Sequence, residues 1–297
     1  MGTQFDEITD VKNIKTITSK IDNVTYLLLL KDGRIALCLD DKTIRIFDPS
    51  NDYYHFDQVI ERHNEKIKSI CQLDDGTIVS CSFDHSIMIG DYTINNAHDD
   101  RICKVITLPN NRIASCSYDK TIKIWKSNPP YSDTPINVLE GHSNKVTSLL
   151  YMKERDVMIS GSYDETLRLW NISTYQCDKV IEGVDRCFTN SLYQIDKDRV
   201  IVGGVNSFSI VNIDKCVIEK IIIEDESIGA VKCFLKLRDN KTILCGCDNG
   251  IFCFYDMKTE QYKITNDNHC YAITDLLLID DNTFLCSTDT IIKVWRY

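Results

Sequence analysis

The sequence predicts an all-β fold: a seven-bladed β-propeller of four-stranded antiparallel blades, its ring closed by an N-terminal strand. Three observations predict it. One block of residues recurs seven times, each copy holds short alternating apolar runs split by turn residues, and no stretch keeps the three-and-four apolar spacing of a proper helix.

The best copies are GRIALCLDDKTIRIFD (33–48), GTIVSCSFDHSIMIGD (76–91), NRIASCSYDKTIKIWK (111–126) and DVMISGSYDETLRLWN (156–171). Weaker ones follow at 199–212 and 241–256, and NTFLCSTDTIIKVWRY (282–297) is the last. Aligned on the turn positions Asp41, Asp84, Asp119, Asp164, Val205, Asp248 and Asp289, the steps are 43, 35, 45, 41, 43 and 41 residues. In the fourth copy the runs are VTSLLYM (146–152), DVMISGS (156–162), TLRLWNI (166–172) and CDKVIE (177–182). Alternation of branched and aromatic residues marks half-buried strands, and Asp-x-Thr marks a tight turn between them. Four short strands per copy, seven times over, make a propeller.

Length alone suggests two domains for 297 residues, but the repeats join 1–297 into one, with copies filling 21–297. With 34 basic and 44 acidic residues the net charge is −10, the wrong sign for a general nucleic-acid binder. No apolar run approaches a membrane span, and no basic-then-apolar leader opens the chain. No Gly-rich phosphate loop, H-E-x-x-H or G-x-S-x-G is present.

Fourteen cysteines would suggest metal or redox chemistry, yet none has C-x-x-C spacing. Three residues before the turn position stand Cys38, Cys81, Cys116, Gly161, Cys245 and Cys286, with Gly203 in the fifth copy after a one-residue gap. That slot reads as a small apolar position where neighbouring blades press together, so most of the cysteine excess is packing. Free thiols suit a reducing compartment, the cytosol or nucleus.

The copies resemble the WD40 family over essentially the whole chain. The match rests on the Ser-x-Ser-x-Asp-x-Thr-Ile-x-Ile-Trp run, a His about twenty residues upstream, and the period; Gly141-His142 and Trp170-Asn171 approach the family's two defining dipeptides. The resemblance implies that a strand near 13–19 (NIKTITS) completes the last blade. It also implies buried hydrogen-bonded sets of His98, Ser115, Asp119 and Trp125, and of His142, Ser160, Asp164 and Trp170. His–Asp beside Ser could be read as a catalytic triad. A triad would occur once, whereas His63, His98, His142 and His269 recur at the period of the fold. The pattern weakens elsewhere: Phe47, Gly90, Val211 and Phe254 hold the Trp slot, and Lys20, Val184 and Ser227 the His slot.

In the family, partners meet the residue before the turn Asp and the two residues flanking the first strand's start. Here the first position gives Asp40, Phe83, Tyr118, Tyr163, Cys247 and Thr288; the second gives Lys66, Lys68, Arg101, Cys103, Lys145 and Thr147. Phe83, Tyr118 and Tyr163 with Lys66, Lys68, Arg101 and Lys145 would form an aromatic and basic rim on blades two to four, suited to an acidic or phosphorylated segment. The expectation is a non-enzymatic interaction scaffold, monomeric or a subunit of a complex, with no cofactor, metal, membrane or nucleic-acid partner. The alternative is the interaction domain of a larger ubiquitin-ligase or kinase-type protein. The start just before the closing strand and the end on the last strand are consistent with that. An enzyme would need a non-periodic cluster of titratable residues, and none is expected.

Overall fold

The computed structural model describes residues 11–17, 22–50, 56–185, 191–222, 228–265 and 271–297. Lys20, Cys187, Ser227, His269 and Cys270 lie outside them, as do the last two residues of the expected closing strand.

Seven four-stranded antiparallel sheets follow one another along the chain. Six are made of consecutive strands, spanning 24–61, 67–94, 102–139, 146–182, 192–222 and 231–265. The seventh takes three strands from the C-terminal end and its outer one, Lys12–Ile17, from the N-terminal end. That strand runs antiparallel to Ile292–Arg296, with Ile17 opposite Ile292. Ile17 is buried with Ile292 and Val294 of blade 7 and Leu37 and Phe47 of blade 1, so the seam is packed as well as paired.

The turn chemistry is local. Asp164 Oδ1 accepts the Thr166 backbone N–H at 3.1 Å and the Thr166 hydroxyl at 2.7 Å, while Glu165 between them sits at φ 65°. The same bonds form at Asp41–Thr43, Asp84–Ser86 and Asp119–Thr121. An Asp side chain two residues ahead of a hydroxyl residue therefore stabilises the hairpin before any tertiary contact exists.

Apolar burial lies between blades. Cys81 on the second strand of blade 2 packs with Ile102, Ile113 and Trp125 of blade 3, and Cys116 of blade 3 packs with Val146 and Trp170 of blade 4. The slot is tight. A Cβ on Gly203 would lie 2.3 Å from the Val231 carbonyl oxygen of the next blade, and one on Gly246 would lie 2.5 Å from Ile273 Cγ2.

Pairing corrects the register in blades 6 and 7. Cys38, Cys81, Cys116 and Gly161 lie opposite the first-strand residues Tyr26, Ser69, Lys104 and Ser148. In blades 6 and 7 the equivalent residues are Gly246, opposite Cys233, and Ser287, opposite Asp275. Cys245 and Cys286 stand one residue earlier, and a one-residue step turns a strand side chain to the other face. They pack backwards, Cys245 against Phe208 of blade 5 and Cys286 against Phe252 of blade 6. The Trp slot moves with them: blade 6 fills it with Tyr255, opposite Ile243, while Phe254 faces blade 7.

A chain starting at residue 18 lacks the closing strand and exposes the edge of Ile292–Arg296. We expect its Tm to fall by about 5–10 °C, with self-association through the open edge. Thermal melts with light scattering check this, and a peptide covering 11–17 added in trans should restore both properties.

Candidate functional site

Two sets of side chains sit behind the loop rim. His98 Nδ1 lies 2.7 Å from Asp119 Oδ2 and its Nε2 2.7 Å from Ser115 Oγ, which accepts the Trp125 indole N–H at 2.8 Å. His142 repeats this with Asp164 at 2.8 Å, Ser160 at 2.7 Å and Trp170 at 2.8 Å. His63 makes a shorter version with Asp84 and Ser80 at 3.1 and 2.8 Å. Burial holds the His98 and His142 imidazoles below their usual range despite the neighbouring carboxylates. Burial would raise the Asp119 carboxyl, but the hydrogen bonds from His98 and Thr121 outweigh it and hold it low. Neutral imidazole, ionised carboxylate and hydroxyl thus satisfy one another away from water. The arrangement ties the loop ahead of the first strand to the second and third strands, and in blades 3 and 4 it buries the serine hydroxyl completely.

The rim residues converge. Phe83, Tyr118 and Tyr163 each donate a backbone N–H at 2.9 Å to the carbonyl of Lys66, Arg101 and Lys145 respectively, which sets an aromatic beside a cation on blades 2, 3 and 4. The rings of Phe83 and Tyr118 lie 5.9 Å apart. Arg101 and Lys68 stand 4.9 and 5.6 Å from the Phe83 ring centroid, and Lys145 stands 4.2 Å from that of Tyr118. These are cation–π distances. A cavity of about 350 Å³ opens among Phe83, Tyr118, Tyr163, Lys66 and Lys68, reaching Lys232 and Asp289 across the ring. Lys66 is ion-paired with Asp40. Burial lowers the Lys68 and Lys232 ammonium groups and raises the Asp289 carboxyl, and raises the Tyr118 phenol to about 12.

Two expected rim residues are elsewhere. Cys247 and Thr288 are buried, because the register step in blades 6 and 7 puts Asp248 and Asp289 in the positions equivalent to Asp40. Cys103 and Thr147 are buried at the start of their strands, although Thr147 still lines the cavity.

Sequence reasoning also missed a non-periodic group in the central channel, where none was expected. Lys104 Nζ lies 4.0 Å from the Tyr26 ring centroid, and Asp275 Oδ2 accepts the Leu27 N–H at 2.8 Å. All three line one cavity of about 460 Å³ with apolar first-strand residues. A signal existed: in register, the first-strand slot opposite the small residue holds Ser69, Ser148 and Cys233, but also Tyr26, Lys104 and Asp275. Burial pushes the Asp275 carboxyl up to about 6, against the lowering effects of the Leu27 N–H, Lys104 and the Leu276 N–H. The Asp275 carboxyl accepts the backbone N–H groups of Leu27 and Leu276.

A seven-bladed ring in which blades 3 and 4 repeat a His–Asp–Ser–Trp set defines the class. Residues 56–91, 92–126 and 133–171 match the family model "WD domain, G-beta repeat". WD repeat-containing protein 55 of Arabidopsis thaliana is 25% identical over 251 residues, 80% of this chain and 69% of that protein. The WD repeat-containing protein 89 homolog of Dictyostelium discoideum is 27% identical over 130 residues, 43% of this chain and 34% of its own. Nuclear distribution protein nudF of Aspergillus niger is 32% identical over 84 residues, 28% of this chain; the match spans only 18% of nudF. The chain is a seven-bladed β-propeller, three of whose consecutive repeats match the WD40 repeat. Propellers of this family are generally non-enzymatic and bind proteins or peptides.

Asp275 makes the channel sensitive to pH. Its carboxyl is raised in the fold from 3.8 to about 6, so the native state holds the extra proton and stability falls as pH rises through that interval. Asp275→Asn removes the loss. Relative to the parent, the variant should gain about 2–3 kcal/mol between pH 4 and 7, read from urea midpoints across that range; a pH-independent difference would contradict the assignment.

Proposed function

We propose that this chain is a non-enzymatic interaction scaffold that binds an acidic or phosphorylated segment of a partner protein on the loop rim of blades 2 to 4. The observation that carries the proposal is the convergence of Phe83, Tyr118 and Tyr163 with Lys66 and Lys68 around one cavity, with Arg101 and Lys145 held against the Phe83 and Tyr118 rings. Aromatic anchors with cations held against them are what hot spots use, since rings offer large area at little entropy cost. The local excess of cations sits on a molecule of net charge −10, so an anionic segment would be steered to this face and repelled from the rest. The Tyr118 phenol, raised to about 12, stays protonated at neutral pH and can donate a hydrogen bond to a carboxylate or phosphate oxygen.

The twelve described cysteines are free thiols, which supports a place in the cytosol or nucleus. The chain acts there as a monomer or as one subunit of a complex, without cofactor or nucleic-acid partner.

Affinity purification with the parent and with Tyr118→Ala/Tyr163→Ala tests the rim. Each truncation should weaken partner binding by about 1–3 kcal/mol, and the double variant should lose its partners while melting close to the parent. Unchanged partners with an unchanged melt would overturn the assignment. Retained binding should also weaken as salt is raised.

A further inference from the structure

The ring carries one unfilled slot. Six blades place a side chain at the position occupied by Trp125 in blade 3: Phe47, Trp125, Trp170, Val211, Tyr255 and Trp295, each 3% exposed or less. Blade 2 places Gly90 there, its N–H bonded to the Ile78 carbonyl at 3.0 Å. Gly90 is exposed, and a cavity of about 440 Å³ opens beside it. Ile78 from its own blade and Ile44, Ile46 and Ile60 from the blade before stand where Ile113, Ile87, Ile89 and Ile94 pack around Trp125. Met88 replaces the cation that blades 3 and 4 carry as Lys123 and Arg168, and Lys31, Asp32, Arg34, Gln58 and Gln72 also line the cavity.

The acceptor is in place too. In blades 3 and 4 the serine hydroxyl faces His Nε2 and accepts an indole N–H at 2.8 Å. Ser80 lines the blade 2 cavity and keeps its His63 partner at 2.8 Å. With His63 Nδ1–H directed at Asp84, the Ser80 hydroxyl donates to Nε2, and its oxygen retains the lone pair that an indole would use. Arg62 reaches over the mouth, bonded to the Gly90 carbonyl at 3.2 Å and paired with Asp91. Its planar guanidinium is placed to lie against an inserted ring. The positive φ of Gly90, 56°, disfavours any side chain at this position, so blade 2 does not fill the slot from its own third strand.

We infer that the cleft between blades 1 and 2 is a docking site for a tryptophan side chain of a partner polypeptide, distinct from the loop rim. The occupant is defined by the ring's own internal copies: equivalent apolar positions and the same serine acceptor close over Trp125 and Trp170. A phenylalanine would fill the walls and leave the acceptor unmatched, which costs affinity and sets the preference for indole.

Ligand chemistry tests this without altering the fold. Indole, 1-methylindole and the peptides Ac-Gly-Trp-Gly-NH2 and Ac-Gly-Phe-Gly-NH2 are titrated into the intact chain while the methyl resonances of Met88, Ile78 and Ile60 are followed. Indole should shift these with a dissociation constant on the order of 1 mM, and 1-methylindole, which has no N–H, should bind about tenfold more weakly. The tryptophan peptide should compete with indole and bind tighter than the phenylalanine peptide. Absence of shifts, equal affinity of indole and 1-methylindole, or exclusion of the tryptophan peptide would each overturn the proposal.

Discussion

The ring is held by the contact between one blade's second strand and the next blade's first strand, and that contact admits almost no side chain. Cys38, Cys81, Cys116, Gly161, Gly203, Gly246 and Ser287 all meet it with a small group or none. A single four-stranded blade cannot bury both its faces; stacked face to face around a ring, seven of them can. Everything functional follows from how closely the blades approach. The same approach that buries Cys81 against Trp125 sets the spacing at which Phe83 meets Tyr118 on the rim.

Each slot therefore has a direction. A second-strand residue in the tight position looks forward to the next blade, and its predecessor looks back to the His–Trp layer. Ser80, Ser115 and Ser160 occupy that second position in blades 2 to 4, and Cys245 and Cys286 occupy it in blades 6 and 7. The hydroxyl supports a histidine in all three blades and an indole as well in blades 3 and 4, whereas Cys245 and Cys286 are buried in apolar clusters. Burial drives the Cys245 thiol far above its usual range, as suits an inert core group.

Much of this was legible in the chain itself. Period and alternation predicted seven blades, and the fourth copy's runs fall within a residue of the observed strands. The His98 and His142 sets could be anticipated from the resemblance to the WD40 family, whose motif positions both copies match in full. What escaped was single-residue register. Counting back from Asp248 and Asp289 treats those residues as the turn position, whereas Asn249 accepts the Ile251 N–H as the turn Asp does in blades 1 to 4. The error moved Cys247 and Thr288 onto the rim and hid Asp289. The channel group escaped for a different reason: Tyr26, Lys104 and Asp275 come from three blades, and only ring closure brings them together.

Blade 6 offers the most direct test of the central contact, because two adjacent residues there are assigned to opposite faces. Gly246 should reject a side chain, since its Cβ would lie 2.5 Å from Ile273 Cγ2 and 2.7 Å from Cys233 Sγ, while Cys245 already holds one of similar size to valine. Unfolding free energies of Gly246→Val and Cys245→Val decide it. The account predicts that Gly246→Val costs at least about 2 kcal/mol more than Cys245→Val, through overpacking of a closed interface. Equal costs, or the reverse order, would contradict it.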